Sequence, residues 1–327
     1  MNKQPLVSII MPVYNCELFI NKAIGSILSQ TYPHFELLIA DDGSTDRSRE
    51  IIDSYNDSRI STFHNAINIG NIRTRNKLFS LSKGELIAIQ DGDDWSEINR
   101  IAKQVEAFLK DEELGACGTG FYRVRINGEI HLSKSLHKNG SHQINMCPAS
   151  IMIKKSVYEQ IGGLNLYFDR LFAEDHYWIY RITEEYKAIC LPTPLYYYRQ
   201  NPKSLTNDIK SVRKLVMTTV VDKLIAQRKT TGTDWLEQGE IEKIKKFEED
   251  LLKNKRWLSN KYQIYAAVSV DNKDYRGASR FLIKSIQLDS FSLSQLRTVV
   301  YFIRSYLKQV IAIYKRRLKS IFLTFFI

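Results

Sequence analysis

Cysteine is scarce: four in 327 residues, at Cys16, Cys117, Cys147 and Cys190, widely spaced and with no Cys-x-x-Cys pair. That excludes a disulfide framework and a zinc knuckle, and it fits a reducing compartment. No apolar run reaches the roughly 18 residues that a membrane span needs, so no transmembrane helix is expected. The chain enters an apolar segment at Leu6 with no basic leader or small-residue cleavage site before it, so no signal peptide is expected. A glycine-rich, lysine-bearing phosphate loop is missing. The histidines have no metal-ligand spacing; His64, His137 and His142 read as surface or packing residues, and only His176 stays open. Acidic side chains are absent beyond Asp289.

What is present is ordinary in bulk and uneven in charge. At 44% hydrophobic and 25% charged, the chain can bury a sizeable core. Residues 1–205 carry 23 basic and 24 acidic side chains, whereas the remaining 122 carry 24 and 12. Almost all of the net charge of +11 therefore lies in the last third, which argues for two regions, 1–205 and 206–327, with different partners.

The first region alternates strand and helix patterns. Strands are expected at Val7–Val13, ending at a proline turn, and at Phe35–Ala40, Ile60–Phe63 and Glu85–Gln90. Helices are expected at Phe19–Leu28, from a Thr45 or Asp46 cap to Tyr55, at Arg73–Leu81 and at Ser96–Leu109. That order implies a largely parallel sheet covered by helices, with ligands beyond the carboxyl ends of the strands. The middle is less regular: a hairpin from Ala116 to Ile126 and around Gly128, a strand at Ala149–Ile153, a short helix at Ser156–Ile161, a turn at Gly162-Gly163, and a helix at Asp175–Tyr186. Cys190–Tyr198 reads as a strand whose prolines suit a sheet edge. After Leu205 helical stripes take over, at Val212–Leu224 and Ile241–Leu251. Tyr262–Asp289 resembles a single tetratricopeptide-type hairpin turning at Asp271-Asn272, with no second copy at a fixed period.

Two acidic clusters, Asp41-Asp42-Gly43-Ser44 and Asp91-Gly92-Asp93-Asp94, each follow a buried-strand pattern. Carboxylates so close repel unless a positive group sits between them. A divalent cation held against a diphosphate fits that need. Other readings stand beside this one. Asp42–Asp46 is also a turn and helix cap. Arg75 is also a solvated helix arginine, and Glu174-Asp175 also complements a helix dipole. The second cluster is also a calcium-like turn, although an EF-hand would need glutamate where Ala102 stands.

Val7–Asn15 (VSIIMPVYN), Phe35–Asp46 (FELLIADDGSTD), Ile87–Trp95 (IAIQDGDDW) and Ala173–Asp175 (AED) occur in that order. Together they resemble the inverting, GT-A-fold glycosyltransferases of family 2, over roughly residues 5–205. The resemblance implies an α/β fold over 1–205, a Rossmann-like, mostly parallel sheet flanked by helices. An all-helical C-terminal region over 206–327 would follow it. It implies that Pro12, Val13, Tyr14, Asn15 and Asp42 hold the uracil of a UDP-sugar and that Arg75 lies near the nucleotide. Asp91-Gly92-Asp93 matches the family's DxD motif: Asp93 and Asp91 are implied as ligands of Mg²⁺ or Mn²⁺, with Gly92 allowing close approach. Asp175 is implied as the catalytic base, with Glu174 beside it and Arg199 in a loop near the acceptor or the diphosphate. At that loop Gln200-Asn201-Pro202 departs from the commoner histidine-containing pattern, and a direct diphosphate role for Arg199 does not carry over. The Gln-x-x-Arg-Trp motif of processive members is absent, so single-sugar addition is expected.

The implied activity is metal-dependent hexosyl or N-acetylhexosaminyl transfer from a nucleotide-sugar to a glycan or lipid-linked glycan. The setting is bacterial surface polysaccharide or lipopolysaccharide assembly, in the cytoplasm at the inner face of the plasma membrane. A nucleotidyltransferase and a non-catalytic sugar-binding or membrane-scaffold protein are the competing readings. From Leu293 onward Val299, Phe302, Ile303, Tyr306, Val310, Ile313 and Tyr314 fit one helical face among basic residues. A basic amphipathic helix of this kind suits an anionic membrane; the other reading is a helix packed on its own domain. No stacking or groove-reading motif for nucleic acid is present.

Overall fold

The structure is a computed structural model that describes residues 4–125, 128–132, 147–200, 212–271, 273–289 and 293–325, with side chains in the last stretch described at 293–309 and 311. The expectations at Ile126, His137, His142, Asn201, Pro202 and Asn272 lie outside the described residues, as do the side chains of Val310, Ile313 and Tyr314. The chain divides into two compact units, Met1–Lys210 and Ser211–Ile327.

The first unit opens with Val7–Val13 (β1), Ile20–Leu28 (α1), Phe35–Asp41 (β2), Ser48–Asp53 (α2), Ile60–His64 (β3), Asn71–Leu81 (α3) and Leu86–Ile89 (β4). Trp95–Ser96 (β5), Arg100–Lys110 (α4), Leu114–Val124 (β6) and Ile130–Leu132 (β7) follow. A 3₁₀ turn at Pro148–Ser150 leads into Met152–Lys154 (β8), Lys155–Ile161 (α5), Glu174–Glu185 (α6) and Lys187–Arg199 (β9). Among the described residues one sheet runs β3-β2-β1-β4-β8-β6-β9-β5, with β7 paired to β6. The first four strands are parallel neighbours. Beyond β4 the sheet is mixed: β8 is antiparallel to β4 and β6, β9 is parallel to β6, and β5 is antiparallel to β9. This is the α/β, GT-A type of fold, followed by a helical region.

The apolar runs become central strands because both faces are covered. Ile9, Met11, Leu37, Ile39 and Ala88 pack in one core with Ile20, Ala23, Ile24 and Ile27 of α1, which recur at helical spacing.

Several expectations need correction, among them the strand expected at Ala149–Ile153, which starts only at Met152 after the 3₁₀ turn Pro148–Ser150. β1 has the expected bounds, Val7–Val13, but the proline makes no turn: Pro12 pairs with Ala40 inside the strand. Its pairing with β4 ends at Ile10↔Ile89, and Ile10 and Val13 turn their carbonyls to opposite neighbours, Gln90 and Asp42. The missing N–H of Pro12 therefore falls on the side where β4 has already ended. The helix expected from Ser96 starts at Arg100, because Trp95 and Ser96 pair with Tyr197 and Tyr196. β9 is no edge strand: it lies between β6 and β5, and its prolines fall where the register skips from Thr119↔Leu191 to Gly120↔Pro194.

The second unit is helical: Val212–Thr231 (α7), Ile241–Lys253 (α8), Lys255–Asp271 (α9), Tyr275–Leu288 (α10) and Leu293–Phe325 (α11). No helix among the described residues is long and apolar enough to cross a membrane.

Candidate functional site

Both acidic clusters lie at the carboxyl ends of the parallel strands, and the end of β1 separates them. On one side the Asp42 amide donates to the Val13 carbonyl (2.7 Å). On the other, a Cβ on Gly92 would lie 3.1 Å from Val13 Cγ2 and 3.3 Å from the Pro12 carbonyl oxygen. Gly92 is thus needed for close approach to the protein's own strand. Asn15, at φ 52°, fastens the same loop to the first cluster: its amide donates to Ser44 Oγ (3.0 Å), and its Oδ1 accepts from the Thr45 amide (2.8 Å). Tyr14 stands half exposed at this edge. The thiol of half-buried Cys16 is pushed up by burial and then by the charges of Asp93, Asp46 and Asp91, so it faces carboxylates of the second cluster and Asp46, two residues past the first.

Asp42 is buried and already well supplied with donors. Its Oδ1 accepts from the Ile69 amide (2.9 Å) and Asn65 Nδ2 (2.8 Å), and its Oδ2 accepts from the Gly70 amide (3.0 Å). A carboxylate offers about four lone-pair sites, so one remains for a further donor. Gly70 takes φ 100°, and the side chain of Asp169 fills the space a Cβ would occupy, so the turn into α3 requires glycine.

Arg75, on α3, is the hub. It is buried and ion-paired to Asp91 Oδ1. Burial alone would lower its pKa; the charges of Asp91, Glu174 and Asp175 outweigh that and hold it above the ordinary arginine value. One guanidinium thus faces the DxD loop and the start of α6 together. Burial raises Asp175, while the His176 amide on its Oδ1 (2.7 Å) and the Arg75 charge oppose the rise. Burial, then Asp175, pushes Glu174 from 4.5 to about 7, against the pull of Arg75.

Glu174→Gln is expected to stabilise the fold at neutral and alkaline pH. A raised folded-state pKa means the folded chain binds the extra proton, so stability falls as pH rises from about 4.5 to about 7. Removing the ionisable group recovers about 1–3 kcal/mol above that window, the lower end because Arg75 also loses a neighbouring negative charge, and nothing below it. Thermal unfolding of both proteins from pH 4 to 9 checks this (roughly the window in which a carboxyl and an imidazole titrate); parallel curves would overturn it.

The second cluster is held from behind by Tyr196, which the sequence patterns did not mark, and by Arg199, which the resemblance placed near the acceptor or the diphosphate. The Asp91 amide donates to Tyr196 Oη (3.1 Å), and Gln90 Nε2 reaches the same hydroxyl (3.4 Å). Arg199 donates from its amide to Asp94 Oδ1 (2.7 Å) and from Nε to the Asp93 carbonyl (2.8 Å). Its guanidinium lies 4.4 Å from the Phe19 ring and 4.8 Å from Trp95, and Lys22 Nζ stands 3.4 Å from the Trp95 ring centre. Arg199 is therefore tied to the DxD loop itself. Pairing of β5 with β9 creates these contacts, and no local spacing announces it.

The loop's donor set suits a hard divalent cation. Asp94 Oδ2 is buried with no hydrogen-bond partner among the described residues. Burial and the charges of Asp93 and Asp91 push Asp94 well above the ordinary carboxylate range. Surplus negative charge among oxygen donors fits Mg²⁺ or Mn²⁺. Among the described residues no three His, Cys, Asp or Glu side chains come together as a metal-holding group, so substrate oxygens would have to supply most of the ligands.

The family model described as Glycosyl transferase family 2 matches residues 8–183, more than half of the chain. The Bacillus subtilis uncharacterized glycosyltransferase EpsJ is 32% identical over 225 residues, 62% of this chain and 63% of its own length. The Escherichia coli enzyme WfaP, a UDP-Glc:α-D-GlcNAc-diphosphoundecaprenol β-1,3-glucosyltransferase, is 30% identical over 205 residues, 62% of this chain and 80% of its own. Among solved structures, Staphylococcus aureus TarS 1–349 in complex with UDP-GlcNAc aligns with a TM-score of 0.59 at 19% identity, covering 92% of this chain and 89% of that one. The mannosyltransferase PcManGT of Pyrobaculum calidifontis, in complex with GDP-Man and Mn²⁺, aligns at 0.50 and 17%, covering 94% and 88%. At those identities the structural likenesses bear on the fold alone.

Proposed function

The chain belongs to glycosyl transferase family 2, and on that premise we propose that it transfers one hexosyl or N-acetylhexosaminyl unit, with inversion, from a UDP-sugar to a lipid-linked glycan. The observation that carries the reading is Arg75, which brings Asp91 of the DxD loop and the Glu174-Asp175 pair under one buried charge.

In this reading Asp42 takes the uracil N3–H on its remaining lone pair, beside Pro12, Val13, Tyr14 and Asn15. The acceptor hydroxyl oxygen attacks the anomeric carbon from the face opposite the diphosphate. The carbon–oxygen bond to the diphosphate breaks, and its electron pair leaves with UDP. The hydroxyl proton passes to the Asp175 carboxylate, whose pKa burial raises, so that it takes up a proton more readily than an exposed aspartate. One displacement inverts the configuration. A divalent cation held by Asp93 and Asp91 would offset the charge that grows on the leaving diphosphate. Arg199 and Tyr196 fix the loop that carries those two residues.

The E. coli glucosyltransferase, named for a UDP-sugar and a diphosphoundecaprenol acceptor, supports the donor and acceptor classes and a setting in bacterial surface polysaccharide assembly. With such an acceptor the protein works in the cytoplasm, at the inner face of the plasma membrane. The Mn²⁺ in the mannosyltransferase complex supports divalent cation use.

A panel of UDP-sugars with Mn²⁺, scored by UDP release and by thermal shift, tests the reading. Turnover with UTP and release of pyrophosphate would instead show a nucleotidyltransferase. Asp93→Ala is expected to reduce metal-dependent turnover by about a hundredfold or more, as loss of one group that stabilises leaving-group charge does. It should also remove the thermal shift that Mn²⁺ adds in the presence of UDP. Full activity in that variant would sink the metal assignment.

A further inference from the structure

The helix α11 packs through one side and leaves the other uncovered by its own unit. Its inner side is polar and aromatic. Gln295 is buried against Ser259 and Ser285 (3.1 and 3.2 Å), the Ser305 carbonyl accepts from Tyr275 Oη (3.1 Å), and Phe302 and Tyr306 pack on the Tyr275 ring. Of the face expected from Val299, Phe302, Ile303, Tyr306, Val310, Ile313 and Tyr314, Phe302 and Tyr306 touch Tyr275 on this side, Tyr306 with about half of its surface still exposed, whereas Ile303 faces outward.

A second stripe faces outward. Leu293, Leu296, Val300, Ile303, Leu307 and Ile311 are all exposed, Leu293 by 77% and Ile311 by 53%. Their spacing of three and four residues aligns them along one side of the helix. Arg297, Arg304 and Lys308, also exposed, each follow a stripe residue directly and so form a parallel basic edge. No acidic residue occurs beyond Asp289.

We infer that this outward face of α11 docks on an anionic lipid bilayer, with the helix lying in the plane of the surface. The stripe supplies apolar area for the headgroup boundary, and the basic edge beside it meets lipid phosphates. The same spacing would also serve a coiled-coil seam between two copies. Charge decides between them. Two such helices side by side would set basic edge near basic edge, with no carboxylate on either α11 to pair with it. A bilayer carrying negative headgroups removes that repulsion. The inference deepens the inner-face placement proposed above, and its test uses neither donor nor acceptor, so it can fail while the transferase reading stands.

The test is co-sedimentation of the full chain with vesicles of phosphatidylcholine alone and with about a third phosphatidylglycerol, a surface charge like that of an anionic leaflet. The chain is expected to pellet with the anionic vesicles and to be released by about 0.5 M salt, where charges are screened over a few ångströms. Arg297→Glu with Arg304→Glu and Lys308→Glu should weaken anionic partitioning by about a hundredfold or more. Val300→Ser with Ile303→Ser and Leu307→Ser, which keeps every charge, should also release the chain. Circular dichroism of both variants should match wild type, as a check that helix content is kept. Equal pelleting with neutral vesicles, or none with either, overturns the inference. So does a concentration-dependent oligomer that the serine variant dissociates in the absence of lipid, which would assign the stripe to a second copy.

Discussion

Asp175→Asn is expected to lower sugar transfer by about a thousandfold, within the range by which a positioned general base accelerates a reaction, while UDP-sugar binding stays close to wild type. The amide keeps the size of the side chain, and its oxygen can still accept the His176 N–H that Asp175 Oδ1 accepts at 2.7 Å. What it loses is the capacity to take a proton. The DxD loop is left whole: Asp91 keeps Arg75 and Tyr196, and Asp94 keeps the Arg199 amide. Donor affinity, read by thermal shift with UDP, should therefore be preserved as single-turnover transfer collapses. The wild-type rate should also fall as pH drops, because burial raises the Asp175 pKa and the base must be ionised to act. Glu174, pushed up to about 7 beside it, makes that acid limb a property of the pair. Undiminished transfer in the variant would remove Asp175 as base. Joint loss of transfer and of donor binding would mean that the substitution damaged the site.

The elements of the first unit were legible where one local period decided them. β1, β2 and β4 are continuous apolar runs because helices cover both faces of the sheet. The acidic clusters come directly at their carboxyl ends, where such sheets bind ligands. Illegible were the contacts made by register between distant strands. Tyr196 reaches the Asp91 amide only because β9 enters the sheet between β6 and β5, and the prolines of β9 pointed to an edge instead. The clamp on Asp42 comes from Asn65, Ile69 and Gly70, more than twenty residues on, in a turn with no motif of its own. In α11 the period was visible but ambiguous. A helix with apolar residues on two sides does not say which side packs; Gln295 and the ring of Tyr275, on another helix, settle it.

At Arg75 the local pattern and the tertiary partner diverge. In the sequence it is one basic residue in a helix that ordinary solvation would satisfy; in the fold it is buried among three carboxylates. Arg75→Met keeps comparable bulk and removes the charge. Asp91 then loses its ion pair, and Glu174 and Asp175 lose the nearest positive field in a place that water screens poorly. Breaking a buried pair by removing one partner costs about 3–5 kcal/mol, because the abandoned charges stay desolvated. The methionine variant should lose stability on that scale at pH 8, read as a lower denaturant midpoint. The sign with pH comes from the carboxylates. Without the guanidinium the pKa of Glu174 and that of Asp175 rise further, so both protonate sooner on acidification, and the deficit should shrink as pH falls below about 7. Arg75→Lys, which keeps the charge but not the planar fork, should recover part of the loss. A solvated helix arginine would give a change within about 0.5 kcal/mol and no pH dependence; that result would separate Asp91 from the Glu174-Asp175 pair and leave the proposed site without its common charge.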